Sequence, residues 1–207
     1  MGRNRSFEES EALDRAVERF WSHGYAASSV RDLGRAMGMN PASFYNAFGD
    51  KRSLFKRSLQ HYLDGSSRKR VALLDASPAP REAIVAFLDA VVEASARSRD
   101  GCLLVNSAAE VAAHDRELGD DVAAGLREVE EALHRAVLRG QADGSISNRL
   151  DAAAFAKAIL GTIVSIRVMA RTAAGTAYLR ALADTQIAML SPVPPDGIGS
   201  EHPTAGG

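Results

Sequence analysis

Between Ser28 and Phe55 the chain reads SSVRDLGRAMGMNPASFYNAFGDKRSLF, and no other stretch limits the fold so tightly. Several helix start and stop signals fall within fewer than thirty residues. Ser29 precedes Val30 and has Asp32 three positions on, a short capping-box pattern at a helix N-terminus. Gly38 supplies the stop. Asn40 then caps a third helix, with Pro41 in its first turn, where a missing N–H costs nothing. That helix has room only for about 41–48. Gly49 interrupts it, and Asp50 caps a fourth helix running from about 51 towards 75. The pattern predicts one very short helix cut free and braced on its neighbours.

Upstream, residues 6–24 read as a helix, with Ala12, Leu13, Ala16, Val17 and Phe20 at three-to-four spacing and Gly24 as the stop. In the second helix the inward positions are Val30, Leu33, Ala36 and Met37. Pro78 and Pro80 mark a joint. Helical patterns follow at about 81–99, 102–113, 116–140, 151–171 and 176–190, and no strand alternation competes with them. The expected class is all-α: an N-terminal three-helix domain over 1–60, a fourth helix continuing to about 77 as connector, and a larger helical domain over 78–190. The tail, 191–207, is rich in Pro and Gly and is expected to be disordered.

Composition agrees. The 207 residues are 46% hydrophobic but only 6% aromatic, and alanine is abundant, which favours close-packed helices. The net charge of −1 does not advertise a polyanion partner, yet residues 1–60 hold ten basic against seven acidic side chains. The one cysteine, Cys102, allows no intrachain disulfide. The first residues form no apolar leader, and no run is expected to reach membrane-span length. A cytoplasmic protein without a membrane partner is expected.

Two helices joined by a tight glycine turn make a helix-turn-helix, whose second member enters a DNA major groove. In PASFYNAF, Phe44 and Phe48 lie four apart and both point inwards, leaving Pro41, Ala42, Ser43, Tyr45 and Asn46 outside. Asn pairs bidentately with adenine, and Ala or Pro contacts a thymine methyl. Tyr45 can bond a phosphate. The N-termini of the second and fourth helices offer N–H groups to phosphates, and Ser28, Ser29, Arg31 and Lys51 sit there. Arg3 and Arg5, on an N-terminal arm, can reach the backbone or a minor groove. The plainer reading is a small three-helix core with solvated charges.

The stretch FWSHGYAASSVRDLGRAMGMNPASFYNAFGDKRSLF resembles the N-terminal domain of TetR/AcrR-family transcriptional repressors over about residues 7–60. The matching elements are Phe20, Gly24 and Tyr25 closing helix 1, the Ser-Val entry to helix 2, AMGM, the SFYNAF recognition helix, and Lys51 opening helix 4. Ser28-Ser29 departs from the family's usual Thr-Ser or Thr-Thr but keeps the hydroxyl. GCLLVNSAAEVAAHD is similar to the opening of the core domain in one branch of the family. The resemblance implies an all-helical homodimer on double-stranded, roughly palindromic operator DNA. It also implies a core domain holding a small-molecule effector, and a dimer interface formed by the last two helices. The dimer has independent support. DAAAFAKAILGTIVSIRVMARTA is apolar on nearly every side, with Ala156, Ala158, Gly161, Thr162 and Ser165 small enough for close approach, although a central helix of a monomer would read similarly.

Helix faces suggest a pocket of Phe87, Val91, Cys102, Leu103, Asn106, Glu110, Phe155, Ile163 and Arg167. Cys102, at a helix start, is either a redox- or electrophile-sensitive thiolate or a small buried hydrophobe. Arg167, inside the apolar helix, meets an anionic ligand, crosses a dimer interface or closes a structural pair. His114 and Glu110 fall short of the three or four ligands a metal site needs, and Asp115 reads better as a helix cap. No nucleophile elbow, phosphate loop, H-E-x-x-H or dinucleotide fingerprint is present, so no catalytic residue, metal or cofactor is expected. An all-α enzyme with a look-alike head, and a helical adaptor or ligand-blind regulator, are the competing classes.

Overall fold

A computed structural model describes residues 2–192, with side chains from Glu9 onward except that of Ser66. The tail from 193 lies outside the described residues, as do the side chains of Arg3 and Arg5, whose backbone is not a separate arm but part of the first helix, which starts at Gly2 and not at about residue 6. Every regular element among the described residues is helical.

The head comprises α1 (Gly2–His23), α2 (Val30–Met37), α3 (Pro41–Phe48) and α4 (Lys51–Tyr62). Each short helix starts where its cap predicts. Ser29, Asn40 and Asp50 accept hydrogen bonds from the N–H groups of Asp32, Ser43 and Ser53 at 3.2, 2.8 and 2.6 Å. Gly38 ends α2 at φ +69°, a conformation other residues adopt only with strain. Phe20 anchors the core of the head, edge-on to Phe55 with ring centres 5.2 Å apart. In α2, Leu33 and Met37 are buried while Val30 and Ala36 are half-buried.

α4 does not run straight to residue 75. It passes through a π-helical turn, Leu63–Ser67, into α5 (Arg68–Ala76), so the expected fourth helix is one rod with a widened turn around Gly65. The body continues with α6 (Pro80–Arg97), α7 (Leu103–Glu110), α8 (Arg116–Ala142), α9 (Ala152–Met169) and α10 (Gly175–Leu190). Apolar side chains form two clusters. Leu74, Ile84, Leu88, Leu133, Phe155, Ile159 and Leu179 belong to one, built from α5, α6, α8, α9 and α10. The other joins the head to α7 and the start of α8, through Leu103, Leu104, Val111, Leu118 and Val122. α7 therefore bridges the two parts: its apolar side chains share the head's cluster, while it also packs on α8 and α9 of the body.

One expectation is corrected. α9 has 18 residues with a mean hydropathy of 1.6, long and apolar enough by length and composition to cross a membrane. It instead packs on α6, α7, α8 and α10, burying Phe155, Ile159, Ile163 and Ile166.

Candidate nucleic-acid interface

α3 is held from beneath and from its end. Phe44 and Phe48 are buried in the head. Arg57 of α4 donates to the carbonyl of Ala47 at 2.9 Å and lies over the Phe48 ring at 4.6 Å. Pro41, Ala42, Ser43, Tyr45 and Asn46 are all exposed, Tyr45 by 54%. Five side chains that offer apolar CH groups, a hydroxyl, a phenol and an amide thus stand on one two-turn helix.

Between α2 and α3 runs an open groove of about 620 Å³ that brings together Ser29, Arg31, Pro41 and Tyr45. Arg35 lines the same groove, and the sequence reading missed it. The signal was there: Arg35 follows Arg31 by four residues, hence on the same face of α2. Gly34 is buried at the floor, where an added Cβ would lie 3.1 Å from the carbonyl oxygen of Met39.

Other expected contacts are placed differently. Ser28 is fully buried, and its hydroxyl donates to the Gly24 carbonyl at 2.7 Å. It braces the loop before α2 and is not offered to a phosphate. The hydroxyl of Ser29 donates to Asp32 at 2.6 Å, and that bond, ahead of all other influences, holds the Asp32 carboxyl below its usual range. Lys51 is half-buried, its ammonium 4.2 Å from the centre of the Tyr25 ring. Burial pushes its pKa down, and Glu110 acts in the opposite sense.

The head meets the body on two sides. On the α4 side, Arg52 donates to Asp115 at 2.7 Å and to Glu117 at 2.6 Å, and Lys56 pairs with Glu117 at 2.6 Å. Asp115 also caps α8, accepting from the Leu118 N–H at 3.0 Å. Its bond to Arg52 first, and the cap second, bring its pKa down to about 2. On the α7 side, Glu110 takes the N–H groups of Tyr25 and Ala26.

Residues 12–57 match the family described as bacterial regulatory proteins of the tetR family, and residues 80–186 match the tetracyclin repressor-like C-terminal domain. The chain belongs to the TetR family. It is a helix-turn-helix transcriptional regulator of that family and not an enzyme. YezE of Bacillus subtilis (strain 168), an uncharacterised HTH-type regulator, is 30% identical over 92% of this chain and 100% of its own. The HTH-type transcriptional repressor ComR of Escherichia coli (strain K12) is 28% identical over 90% of each chain. Among solved structures, a cysteine mutant of the TetR-family regulator CifR complexed with a 26-bp double-strand operator DNA is 29% identical. It superposes with a TM-score of 0.78 over 86% of this chain and 94% of its own.

The TetR body does not gather the nine expected pocket residues into one cavity. Phe87 lines a cavity of about 210 Å³ between α5 and α6, with Arg70 and Leu73 at its edge. Asn106 and Glu110 line a separate cleft of about 590 Å³. Val91, Leu103, Phe155 and Ile163 are buried in the two clusters. Cys102 is half-buried, 3.5 Å from the Tyr62 hydroxyl. Burial, then Cys102, pushes the Tyr62 pKa well up. Arg167 is 8% exposed and donates to Ser95 at 3.2 Å. Burial lowers its pKa, and no carboxylate among the described residues pairs with it. His114 is exposed, and no group of three or more metal-ligating side chains forms among the described residues.

Proposed function

We propose that the chain is a cytoplasmic, ligand-responsive repressor that binds a palindromic operator as a homodimer and is released by a small-molecule effector bound in its body. The observation that carries this reading is the outward array of Pro41, Ala42, Ser43, Tyr45 and Asn46 on a helix locked by two buried aromatics and by Arg57. Asn46 reads a base edge, while Tyr45, Arg31, Arg35 and the N-terminus of α2 hold phosphates. Arg3 and Arg5 add backbone or minor-groove contacts. CifR in complex with operator DNA supports this use of the head.

α9 and α10 form the dimer interface. α9 exposes Gly161, Ser165 and Val168 along one stripe, and α10 exposes Tyr178 and Met189. A small, apolar face suits close helix pairing. Ala156 faces the core of the protomer instead.

The effector occupies the body, where it favours a state in which the two heads no longer match successive major grooves. Release follows from its differential affinity for the two states, typically about 1–3 kcal/mol of coupling. The test is a titration against the DNA upstream of the protein's own gene at two salt concentrations, with random DNA as control. The expected outcome is selective binding as a dimer, with affinity falling steeply as salt rises. Binding no tighter than to random DNA, there and across genome-wide selected fragments, rejects the reading.

A further inference from the structure

We propose that Glu110 is the latch that sets the angle of the head on the body, and that opening it is how the protein lets go of DNA. This rests on the regulator reading above. Glu110 stands at the end of α7 and grips the backbone of the loop between α1 and α2. Its Oε2 accepts the N–H of Tyr25 at 3.0 Å and its Oε1 that of Ala26 at 2.7 Å. One bond per oxygen fixes orientation as well as distance.

The loop is built to receive it. The carboxylate passes over Gly24, where a Cβ would lie 2.7 Å from Oε2, and Gly24 has φ +84°. Any other residue there crowds the carboxylate and strains the backbone. The loop is stiff, because the Ser28 hydroxyl donates to the Gly24 carbonyl and the Ser28 N–H to that of Tyr25. The next residue, Ser29, caps α2. A displacement of Tyr25 and Ala26 is therefore delivered to α2 and to the groove it shares with α3.

α7 grips the head at its other end as well. The carbonyl of Asp100, just before α7, accepts from Trp21 Nε1 of α1 at 3.0 Å and from Asn106 Nδ2 of α7 at 2.7 Å. The 590 Å³ cleft opens alongside, lined by Trp21, Gly24, Asn106, Glu110, Val168 and Arg171. A molecule settling there touches the latch and the end of α9 together. The α4-side ion pairs join long side chains that rotate and follow a moving head. Glu110 holds backbone N–H groups, so on this side only one side chain, its own, can give as the head moves.

The test uses the full-length protein with Glu110→Ala and the isosteric Glu110→Gln. Amide exchange at Tyr25 and Ala26, thermal unfolding, and titrations against operator, random DNA and an operator lengthened between its half-sites are measured. In Glu110→Ala, exchange at both amides speeds up while the melting temperature changes little. Operator affinity falls about tenfold, within the usual range of coupling between sites. Affinity for random DNA stays the same, and the preference for the native half-site spacing shrinks. Glu110→Gln, which keeps one acceptor oxygen, falls between. Faster exchange with unchanged operator affinity and spacing preference overturns the proposal, as does unchanged exchange. An equal loss on random DNA also overturns it, since the head itself would then be damaged. A wild type with no operator preference rejects the regulator reading instead, and that outcome is recognised without any variant.

Discussion

The short helices of the head and helices α6 and α10 of the body solve the same problem, stabilising a helix, by different means. α2 and α3 have eight residues each, too few to persist alone. Each starts on a side-chain cap, each stops at a glycine, and aromatic rings fill the small core beneath. α6 and α10 carry no side-chain cap bond. They hold because Ile84, Leu88, Leu179 and Leu190 are buried among other aliphatic side chains. Local chemistry thus fixes what the head presents. What the body presents depends on which faces the other helices cover.

The sharpest way to break this contrast is to attack a body face that nothing covers in the protomer. An added Cβ at Gly161 meets nothing within 4 Å. Gly161→Arg should therefore leave the fold intact, and even favour the helix locally. It should nevertheless split the proposed homodimer. Losing the linked second half-site costs roughly 10²- to 10⁴-fold in operator affinity. Sedimentation at micromolar concentration and an operator titration check both halves. A variant that stays dimeric moves the interface away from this stripe of α9.

In the head, removal of an outward group should change recognition without touching the dimer. Asn46→Ala should weaken the operator by about 1–3 kcal/mol and leave random DNA nearly unaffected, because a base-reading contact is lost. Tyr45→Ala should weaken both alike, because a phosphate contact carries no sequence. Competition titrations separate the two, and an equal loss for Asn46→Ala assigns it to the backbone instead. Smaller again is Asn40→Ala, which removes the α3 cap at a cost of about 1 kcal/mol. Its signature is lost amide protection centred on α3, together with a melting temperature lowered by about 2–4 °C.

The same contrast explains what the sequence made legible. Caps, glycine stops and inward spacing act within four residues, so α2, α3 and the outward set on α3 could be read directly, while the start of α1 at Gly2 and the π turn after Tyr62 could not. The body helices could be placed by periodicity, with ends off by about three residues or fewer. Tertiary contacts could not be read. Tyr25 and Glu110 are 85 residues apart, and no local pattern marks the bond between them. Ser28 has the residue type of a phosphate contact, yet the turn at Gly24 rotates it inward. The pocket set was drawn from helix faces one helix at a time, while the register between α6, α7 and α9 decides which faces meet. That register buries Phe155 and Ile163 and leaves Asn106 and Glu110 beside a cleft.

The weakest expected effect lies where head and body touch through charge. Asp115 has its pKa brought to about 2, from an ordinary 3.8, chiefly by the bond from Arg52. A depressed carboxylate contributes stability that is fully present above its unfolded value and is lost as pH falls through the folded one. The contribution should therefore fade between about pH 4 and about pH 2. Asp115→Asn isolates it, since Asn caps a helix about as well but carries no charge. The wild type should melt slightly above the variant at pH 5, and the gap should close as pH approaches 2. Added salt should narrow the gap at pH 5, because Asp115, Glu117 and Arg52 are all partly exposed. No gap at pH 5 would mean that Asp115 acts through its cap alone. The α4 side would then be joined to the body by packing of the shared apolar cluster, not by its ion pairs.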